Sequence, residues 1–471
     1  MFSESLRLPT GFGAELPGVA CLPKEVRLCP AGAKEAGGVY RPRHPHESPF
    51  YRLVERFYPE FEAVYEERYR ERYGFWRPII GVVVRKFLEC GDLKHGFARV
   101  RCPKCREEFF VPFSCRVRCF CPSCHEKRAL EKAGWVAEHV CAEVPHRQFV
   151  FTIPKRLRIY FWFEPRLLGE LCRAAARTVI TVARTASGRP DAVPGMVGAI
   201  QTFGQLIHAH PQIHALVTEG AFLPDGTFLP LPKCATEPFL KLWEQEVFAL
   251  FLAEGKITEE VVAKMRSWKH SGFSVDQSVR LEAGDTAGVR RLVEYFLRCP
   301  FSQARMIEVT EAGKVIYKTE HNAVGRFPEP GDEELLAGPS RNFQVFDPLD
   351  FLAEVTQHIP EAGEHLLRYY GWYSNKTRGQ RAQRQPPAAA GTGIPAPSPT
   401  AREARKGWAA LIKQVYASDP ICCPKCGATM RIISFIERHQ TEVIEKILRH
   451  CGLWEKGEAR PPPARAGPVQ G

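Results

Sequence analysis

From Ser48 onward the chain reads Pro-Phe-Tyr-Arg-Leu-Val-Glu-Arg-Phe-Tyr-Pro-Glu-Phe-Glu-Ala-Val-Tyr-Glu-Glu-Arg-Tyr-Arg-Glu-Arg-Tyr-Gly, with Tyr51, Tyr58, Tyr65, Tyr69 and Tyr73 seven or four residues apart. That spacing puts the rings on one side of a helix and predicts a packing stripe. A second helix is predicted over roughly Pro78 to Glu89 and a third from about Glu126 to Glu143. The pattern then changes at Gln148-Phe-Val-Phe-Thr-Ile-Pro, which reads as extended. Helical and extended segments alternate from there to about residue 345, with strands predicted at Gly198 to Gly204, Gln212 to Phe222, Met306 to Val309 and Val315 to Lys318. The last two flank the turn Glu311-Ala-Gly. Such a mixture predicts the α+β class, with an antiparallel sheet flanked by helices.

Breaks in this pattern divide the chain. Residues 1–45 mix Gly, Pro and charge without periodicity and read as an irregular arm; 46–130 form a helical and cysteine-rich region; 131–345 form the α+β domain. A helical, Tyr-rich extension is expected over 346–380, a basic Pro/Ala-rich linker over 381–404, a small C-terminal CxxC unit over 405–456 with a helix from about Gln440 to Cys451, and a disordered tail over 457–471. Across 376–406 seven Lys and Arg stand against Glu403, so this interval holds +6 of the net +12. A flexible basic segment can track a nucleic-acid backbone, or can simply be a solvated linker.

The length of 471 residues allows two to four domains with ordinary cores. No apolar run approaches a membrane span, and Met1-Phe-Ser-Glu-Ser-Leu-Arg lacks the apolar core of a signal peptide. A cytoplasmic protein is therefore expected, with no membrane partner and with thiols reduced or metal-bound. That weakens a disulfide reading of the 17 cysteines. Six of them fall at Cys102, Cys105, Cys115, Cys119, Cys121 and Cys124, and four make C-x2-C-x15-C-x2-C. Two CxxC knuckles joined by a hairpin-like loop predict a zinc-ribbon-like site of Cys102, Cys105, Cys121 and Cys124. Cys423 and Cys426 form one further knuckle, a possible second zinc site with His439, His450 or Cys451 as nearby options.

Two more segments carry candidate chemistry. In Phe203-Gly-Gln-Leu-Ile-His-Ala-His-Pro-Gln-Ile-His-Ala-Leu-Val-Thr-Glu-Gly a continuous strand would point His208, His210, Gln212 and His214 one way. Pro211 cannot donate to a sheet ladder, so the regular strand is expected to begin there, with Ile213, Ala215 and Val217 toward a core and Gln212 and His214 toward a surface. Nitrogen and oxygen donors on a sheet can hold a divalent cation against a phosphate. In Asp285-Thr-Ala-Gly-Val-Arg-Arg-Leu-Val-Glu-Tyr-Phe-Leu-Arg, residues Val289, Leu292, Val293, Phe296 and Leu297 form a helical apolar stripe. Tyr295 falls off that stripe, on the side of Arg291 and Arg298, as a hydroxyl nucleophile beside phosphate-binding arginines would.

These segments resemble the insertion-sequence ninety-one type transposases, bacterial rolling-circle enzymes of the HUH nuclease superfamily. The likeness rests on Phe87-Leu-Glu-Cys-Gly-Asp-Leu-Lys-His-Gly, Phe113-Ser-Cys, Phe120-Cys-Pro-Ser-Cys, His210-Pro-Gln-Ile-His-Ala-Leu-Val-Thr-Glu-Gly, His270-Ser-Gly-Phe-Ser-Val, Tyr295-Phe-Leu-Arg-Cys-Pro, Leu366-Leu-Arg-Tyr-Tyr-Gly-Trp-Tyr-Ser and Cys423-Pro-Lys-Cys-Gly, in order. The resemblance implies an HUH-type nuclease domain and a structural Zn2+. It implies catalytic Mg2+ or Mn2+ held by His214, Gln212 and His210, and attack by Tyr295 on single-stranded DNA at element ends to give a 5′-phosphotyrosine. The partners implied are the single-stranded ends and a target, and a homo-oligomer is compatible with it. Gln212 stands where the family has a histidine, and Arg291 where some members have a second tyrosine, so a one-tyrosine variant is implied. Tyr369 and Tyr373 remain alternative nucleophiles or stacking groups. A replication initiator or relaxase, or a zinc-dependent DNA-binding protein with a decayed site, are the rival readings. On the resemblance, Cys115 and Cys90 could compete for a place in the zinc set.

Overall fold

A computed structural model describes residues 45–204, 207–309, 314–318, 343–384 and 422–454. The expected arm (but for Pro45), most of the linker and the tail lie outside the described residues.

The first helix, α1 (Pro49–Arg68), starts where Ser48 accepts the Tyr51 N–H at 3.2 Å and Pro49 supplies a helix-compatible φ. A one-turn helix α2 (Arg70–Tyr73) follows, and α3 (Pro78–Leu88) packs beside them. All five stripe tyrosines are buried, as a packing role requires. A hairpin of β1 (Phe97–Arg101) and β2 (Glu108–Pro112) leads to α4 (Pro122–His139). Then come β3 (His146–Thr152), the short α5 (Tyr160–Phe163), α6 (Leu167–Ser187), β4 (Gly195–Phe203) and β5 (Ala209–Thr218). A small ribbon of β6 (Gly220–Phe222) and β7 (Phe228–Pro230) precedes α7 (Thr236–Ala253), α8 (Glu259–Arg266), β8 (Ser274–Asp276), β9 (Arg280–Leu281) and α9 (Thr286–Phe296).

The central sheet runs β13 (Leu367–Gly371), β4, β5, β3 and β8, with β9 also on β3, and its pairings are antiparallel. Ile213, Ala215 and Val217 face α6 and α7 in a core with Phe149, Phe151, Leu171, Trp243 and Phe251. The opposite face of β5 was expected at a surface. It is not: Gln212 and His214 are buried, because α9 crosses it and is itself packed on α4. β5 also begins at Ala209, two residues before Pro211, across a register shift in β4 between Gln201 and Phe203.

β10 (Met306–Val309) and β11 (Val315–Lys318) pair antiparallel as expected, the turn Glu311-Ala-Gly between them lying outside the described residues, but with β12 (Phe343–Phe346) they make a separate sheet. Val315, Tyr317 and Phe346 pack on α1, together with Phe351, Leu352 and Val355 of α10 (Pro348–Gln357). Tyr69 and Tyr73 donate to Asp350 (2.6 Å) and Glu354 (2.8 Å), and Arg77 donates to the carbonyls of Thr356 and Ile359 (2.8 Å each). Those last bonds anchor the C-terminal end of α10 and the residues after it to the N-cap of α3. The N-terminal helices and the region after 346 therefore share one core.

The segment expected as a helical extension also contains a strand, β13 (Leu367–Gly371), which pairs with Gly195–Ala199 at the edge of the central sheet. Gly195 makes room for the Tyr373 ring just after this strand, since a Cβ there would lie 2.7 Å from it. After α11 (Asn375–Arg384), β14 (Arg431–Ile436) joins the edge of β1, giving the sheet order β14-β1-β2. The final helix α12 (Thr441–His450) lays Ile444 and Leu448 on Phe97. The C-terminal unit is thus completed by the N-terminal hairpin.

Two buried histidines tie distant segments. His146 Nε2 lies 2.7 Å from the Tyr373 hydroxyl; His358 holds Thr202 at 2.9 Å and donates to the Ile207 carbonyl at 2.5 Å. Burial pushes both down to about 4. Unfolded imidazole titrates near 6.5, so between these values the unfolded chain binds more protons, and stability falls as the pH drops through that window. Lowering the pH from about 7.5 to about 5.0 is expected to cost each histidine about 2 kcal/mol and to lower Tm by several degrees. Thermal melts followed by circular dichroism check this; an unchanged Tm would contradict it.

Candidate active site and metal centres

The register of β4 and β5 sets Gln201 opposite Gln212 and Ala199 opposite His214. Gln212 Nε2 donates to Gln201 Oε1 at 2.7 Å, and His214 Nε2 lies 3.1 Å from the same oxygen. With Nε2 as the donor, the lone pair of His214 sits on Nδ1, which is buried without a hydrogen-bond partner. Burial, then the nearby Arg298 and His210, push His214 down to about 3. Burial, then Arg158, pushes His210 down to about 4. Both imidazoles are neutral and able to ligate at neutral pH. His208, which precedes β5, turns away to Glu354 (3.2 Å) and Gln344 (2.5 Å). Of the histidines expected on one face, the structure groups His210 and His214 with Gln212.

Helix α9 starts at Asp285, whose carboxylate accepts the Gly288 N–H at 2.7 Å. Val289, Leu292, Val293 and Phe296 are buried as expected, while Leu297 caps the helix and is half-buried. Tyr295, also half-buried, stands with its ring centroid 5.7 Å from that of His214 in an edge-to-face contact. The Arg298 guanidinium lies over the Tyr295 ring at 4.7 Å and over Phe203 at 5.4 Å. Arg291 is exposed one turn earlier. Tyr373 is fully buried, with its hydroxyl accepting the Ala142 N–H at 3.0 Å. Tyr369, pushed up to about 12 by burial, sits beneath Arg378, whose guanidinium also covers Trp135 at 5.1 Å.

The cysteines do not form the set expected from their spacing. Cys102 and Cys105 part from Cys121 and Cys124, and two four-sulfur clusters result: Cys90, Cys115, Cys121 and Cys124, and Cys102, Cys105, Cys423 and Cys426. Within each, the sulfurs lie within 4.8 Å of one another. The reason is topological. Cys102 directly follows β1 and Cys105 lies in the β1–β2 turn, whereas Cys121 caps α4 and is packed with Cys90 and Cys124 in the α1–α3 core. His439, His450 and Cys451 belong to neither cluster. Cys119 belongs to neither either; its N–H donates to His125 Nδ1 at 2.9 Å. His125 Nε2 in turn donates to the Leu297 carbonyl at 2.5 Å, beyond the end of the Tyr295 helix.

Gln201 and His125 were missed from sequence. Gln201 is a large polar residue in the otherwise apolar Gly195–Ile200 run, a detectable oddity once a sheet covered on both faces is known. His125 directly follows a CxxC knuckle, but nothing in its surroundings names Leu297 as its partner.

Residues 61–153 match the family described as "Transposase zinc-binding domain", and residues 195–381 match the family described as "Putative transposase". The chain is 25% identical over 375 residues to "Transposase for insertion sequence element IS801" of Pseudomonas savastanoi pv. phaseolicola, covering 76% of this chain and 84% of the relative. It is 25% identical over 398 residues to "Putative transposase y4qJ" of Sinorhizobium fredii (strain NBRC 101917 / NGR234), covering 78% and 93%. No solved structure matches the chain. Among the described residues no helix is long and apolar enough to cross a membrane. With its zinc-binding and transposase segments matched in order, and relatives aligned along most of its length, the chain belongs to the insertion-sequence ninety-one family of transposases.

Proposed function

We propose that the chain is a single-strand DNA strand transferase of the rolling-circle type, with an HUH-type core, that nicks and rejoins element ends through a 5′-phosphotyrosine on Tyr295. The observation that carries this reading is the edge-to-face contact of Tyr295 with His214, under the Arg298 guanidinium. The Tyr295 oxygen attacks the scissile phosphorus, the P–O3′ bond breaks, and the DNA leaves a free 3′-hydroxyl. The phenol proton passes to water and the departing 3′-oxygen takes one up, so the step is balanced. Phosphoester count is unchanged, and the reverse attack by a 3′-hydroxyl reseals a strand. Arg298 stabilises the negative charge of the pentavalent phosphate, and the exposed Arg291 contacts the flanking backbone.

The residues present fit a divalent cation. His214 offers a buried, unpartnered Nδ1, and neutral His210 and the amide oxygen of Gln212 complete an N/O donor set. When bound, Mg2+ or Mn2+ supplies Lewis-acid polarisation of the scissile phosphate. The three ligands carry no negative charge, so binding of the ion depends strongly on the DNA phosphate. Gln201 positions His214 and Gln212 through its shared oxygen.

Cys90, Cys115, Cys121 and Cys124 are read as the ligands of a structural zinc. Cys90 and Cys115 lie 3.7 and 3.5 Å from Cys124, near the ~3.8 Å edge of a tetrahedron with Zn–S bonds of ~2.3 Å. Hydrogen bonds from the neighbouring thiols hold Cys124 far below the usual thiol range. Through His125, this knuckle positions the C-terminal end of α9. Trp135, Tyr369, Lys132 and Arg378 form an aromatic and cationic surface suited to unpaired bases.

Incubation with labelled single-stranded oligonucleotides carrying candidate element ends and Mn2+ is expected to give a covalent protein–DNA adduct that Tyr295→Phe removes. His214→Ala should slow its formation by roughly 100-fold or more. An adduct surviving Tyr295→Phe would overturn the nucleophile, and no adduct with any metal would overturn the enzymatic reading. His125→Ala leaves the Cys119 N–H and Leu297 carbonyl unpaired; a loss of about 1–3 kcal/mol in chemical denaturation and a lower adduct yield are expected, with zinc content retained. Trp135→Ala is expected to weaken binding of a single-stranded oligonucleotide by about 1–3 kcal/mol, measured by fluorescence anisotropy.

A further inference from the structure

We infer that a second structural zinc is shared between the two ends of the chain, held by Cys102 and Cys105 of the N-terminal hairpin and Cys423 and Cys426 of the C-terminal unit. The pairs close across 318 residues from Cys105 to Cys423, with those sulfurs 3.5 Å apart and Cys102 3.6 Å from Cys426. Disulfide sulfurs stand at ~2.05 Å and a tetrahedral zinc–thiolate edge at ~3.8 Å, so these contacts have the spacing of metal ligands.

A second observation is independent of the sulfur positions. The two knuckles have the same sequence, Cys102-Pro-Lys-Cys and Cys423-Pro-Lys-Cys, and the same backbone hydrogen bonds. Cys102 N–H donates to the Glu107 carbonyl (2.8 Å) and Arg106 N–H to the Cys102 carbonyl (3.1 Å). In step, Cys423 N–H donates to Ala428 (2.9 Å) and Gly427 N–H to Cys423 (2.9 Å). The residue after each second cysteine is left-handed, Arg106 at φ 63° and Gly427 at φ 69°. For arginine that backbone is strained, which is a reason to expect a ligand that rewards it. The Cys105 N–H also points at the Cys102 sulfur at 3.5 Å, as a backbone donor to a ligating sulfur would.

The setting explains why a metal is needed. Strand β14 adds to β1, and each strand of that pair abuts a knuckle. The apolar contacts beneath are small: Ala98, Val100, Val111 and Met430 on one side, and Phe97, Ile436, Ile444 and Leu448 on the other. A unit of this size cannot bury enough surface to hold itself, and a metal shared with the hairpin supplies the missing restraint. The ion therefore acts as a clasp that keeps the C-terminal unit on the zinc-binding region, and it does not depend on the nuclease reading.

Metal content of the purified full-length chain, measured by inductively coupled plasma mass spectrometry, tests this. The unmodified chain should hold two zinc ions. Cys423→Ser/Cys426→Ser should hold one, as should Cys102→Ser/Cys105→Ser, and limited proteolysis of either should release the C-terminal unit. Combining all four substitutions should remove no more than one ion, because the four sulfurs hold the same one. Cys426→His, which keeps a zinc ligand, should hold two. Two ions retained in either pair variant would overturn the clasp. So would intact-mass detection of Cys102–Cys426 or Cys105–Cys423 disulfides in place of metal.

Discussion

Much of this structure follows from one constraint: a row of polar side chains on a sheet face that is buried. Gln201, Gln212 and His214 would be costly beneath a helix if left unpaired, since a buried polar group without a partner loses its water without compensation. The β4–β5 register answers this by making a single amide oxygen accept from both neighbours. It leaves open the Gln201 Nε2 and the His214 Nδ1, the latter on the ring that the Tyr295 helix packs against. Burial keeps the imidazole neutral, so its Nδ1 lone pair is free to ligate.

Placing Tyr295 against the His214 ring requires α9 to end at a defined point. Its start is set locally by the Asp285 cap, but its end is held from outside, through the His125 bond to Leu297. His125 is in turn oriented by the Cys119 N–H, in the loop between the cysteines of one cluster. The zinc-binding and transposase segments are therefore mechanically continuous. The shared core of α1, α3, β11 and α10 has the same effect at larger scale, with Arg77 and the tyrosine stripe bonding to a helix some 280 residues later.

Local pattern was legible wherever it had a local cause. The tyrosine stripe, the Asp285 helix, the β10–β11 hairpin and the approximate course of β3, β4 and β5 follow from periodicity, capping and turn residues. Tyr295 off the apolar stripe and beside an arginine was readable in the same way, because a helix of known period fixes which residues share a side. Reading failed where a residue's partner is remote. Spacing alone paired Cys102 and Cys105 with Cys121 and Cys124, but fifteen intervening residues permit that closure without requiring it, and the helix cap at Cys121 and the strand end just before Cys102 pull the pairs apart. The strand β13 was hidden for a related reason, since its pairing partner at the edge of β4 is remote in sequence.

By itself, then, the sequence determined the chemistry available to this transposase: thiolate knuckles, neutral donors at alternate positions of a strand, and a tyrosine and arginine on one side of a helix. These depend on residue type and on helix or strand period, which are local properties. Tertiary structure alone decided which thiols meet, that His208 leaves the group while Gln201 joins it, and that the expected surface of β5 lies under a helix. Each of those choices depends on strand register and helix crossing, which are set by burying apolar surface contributed from both ends of the chain.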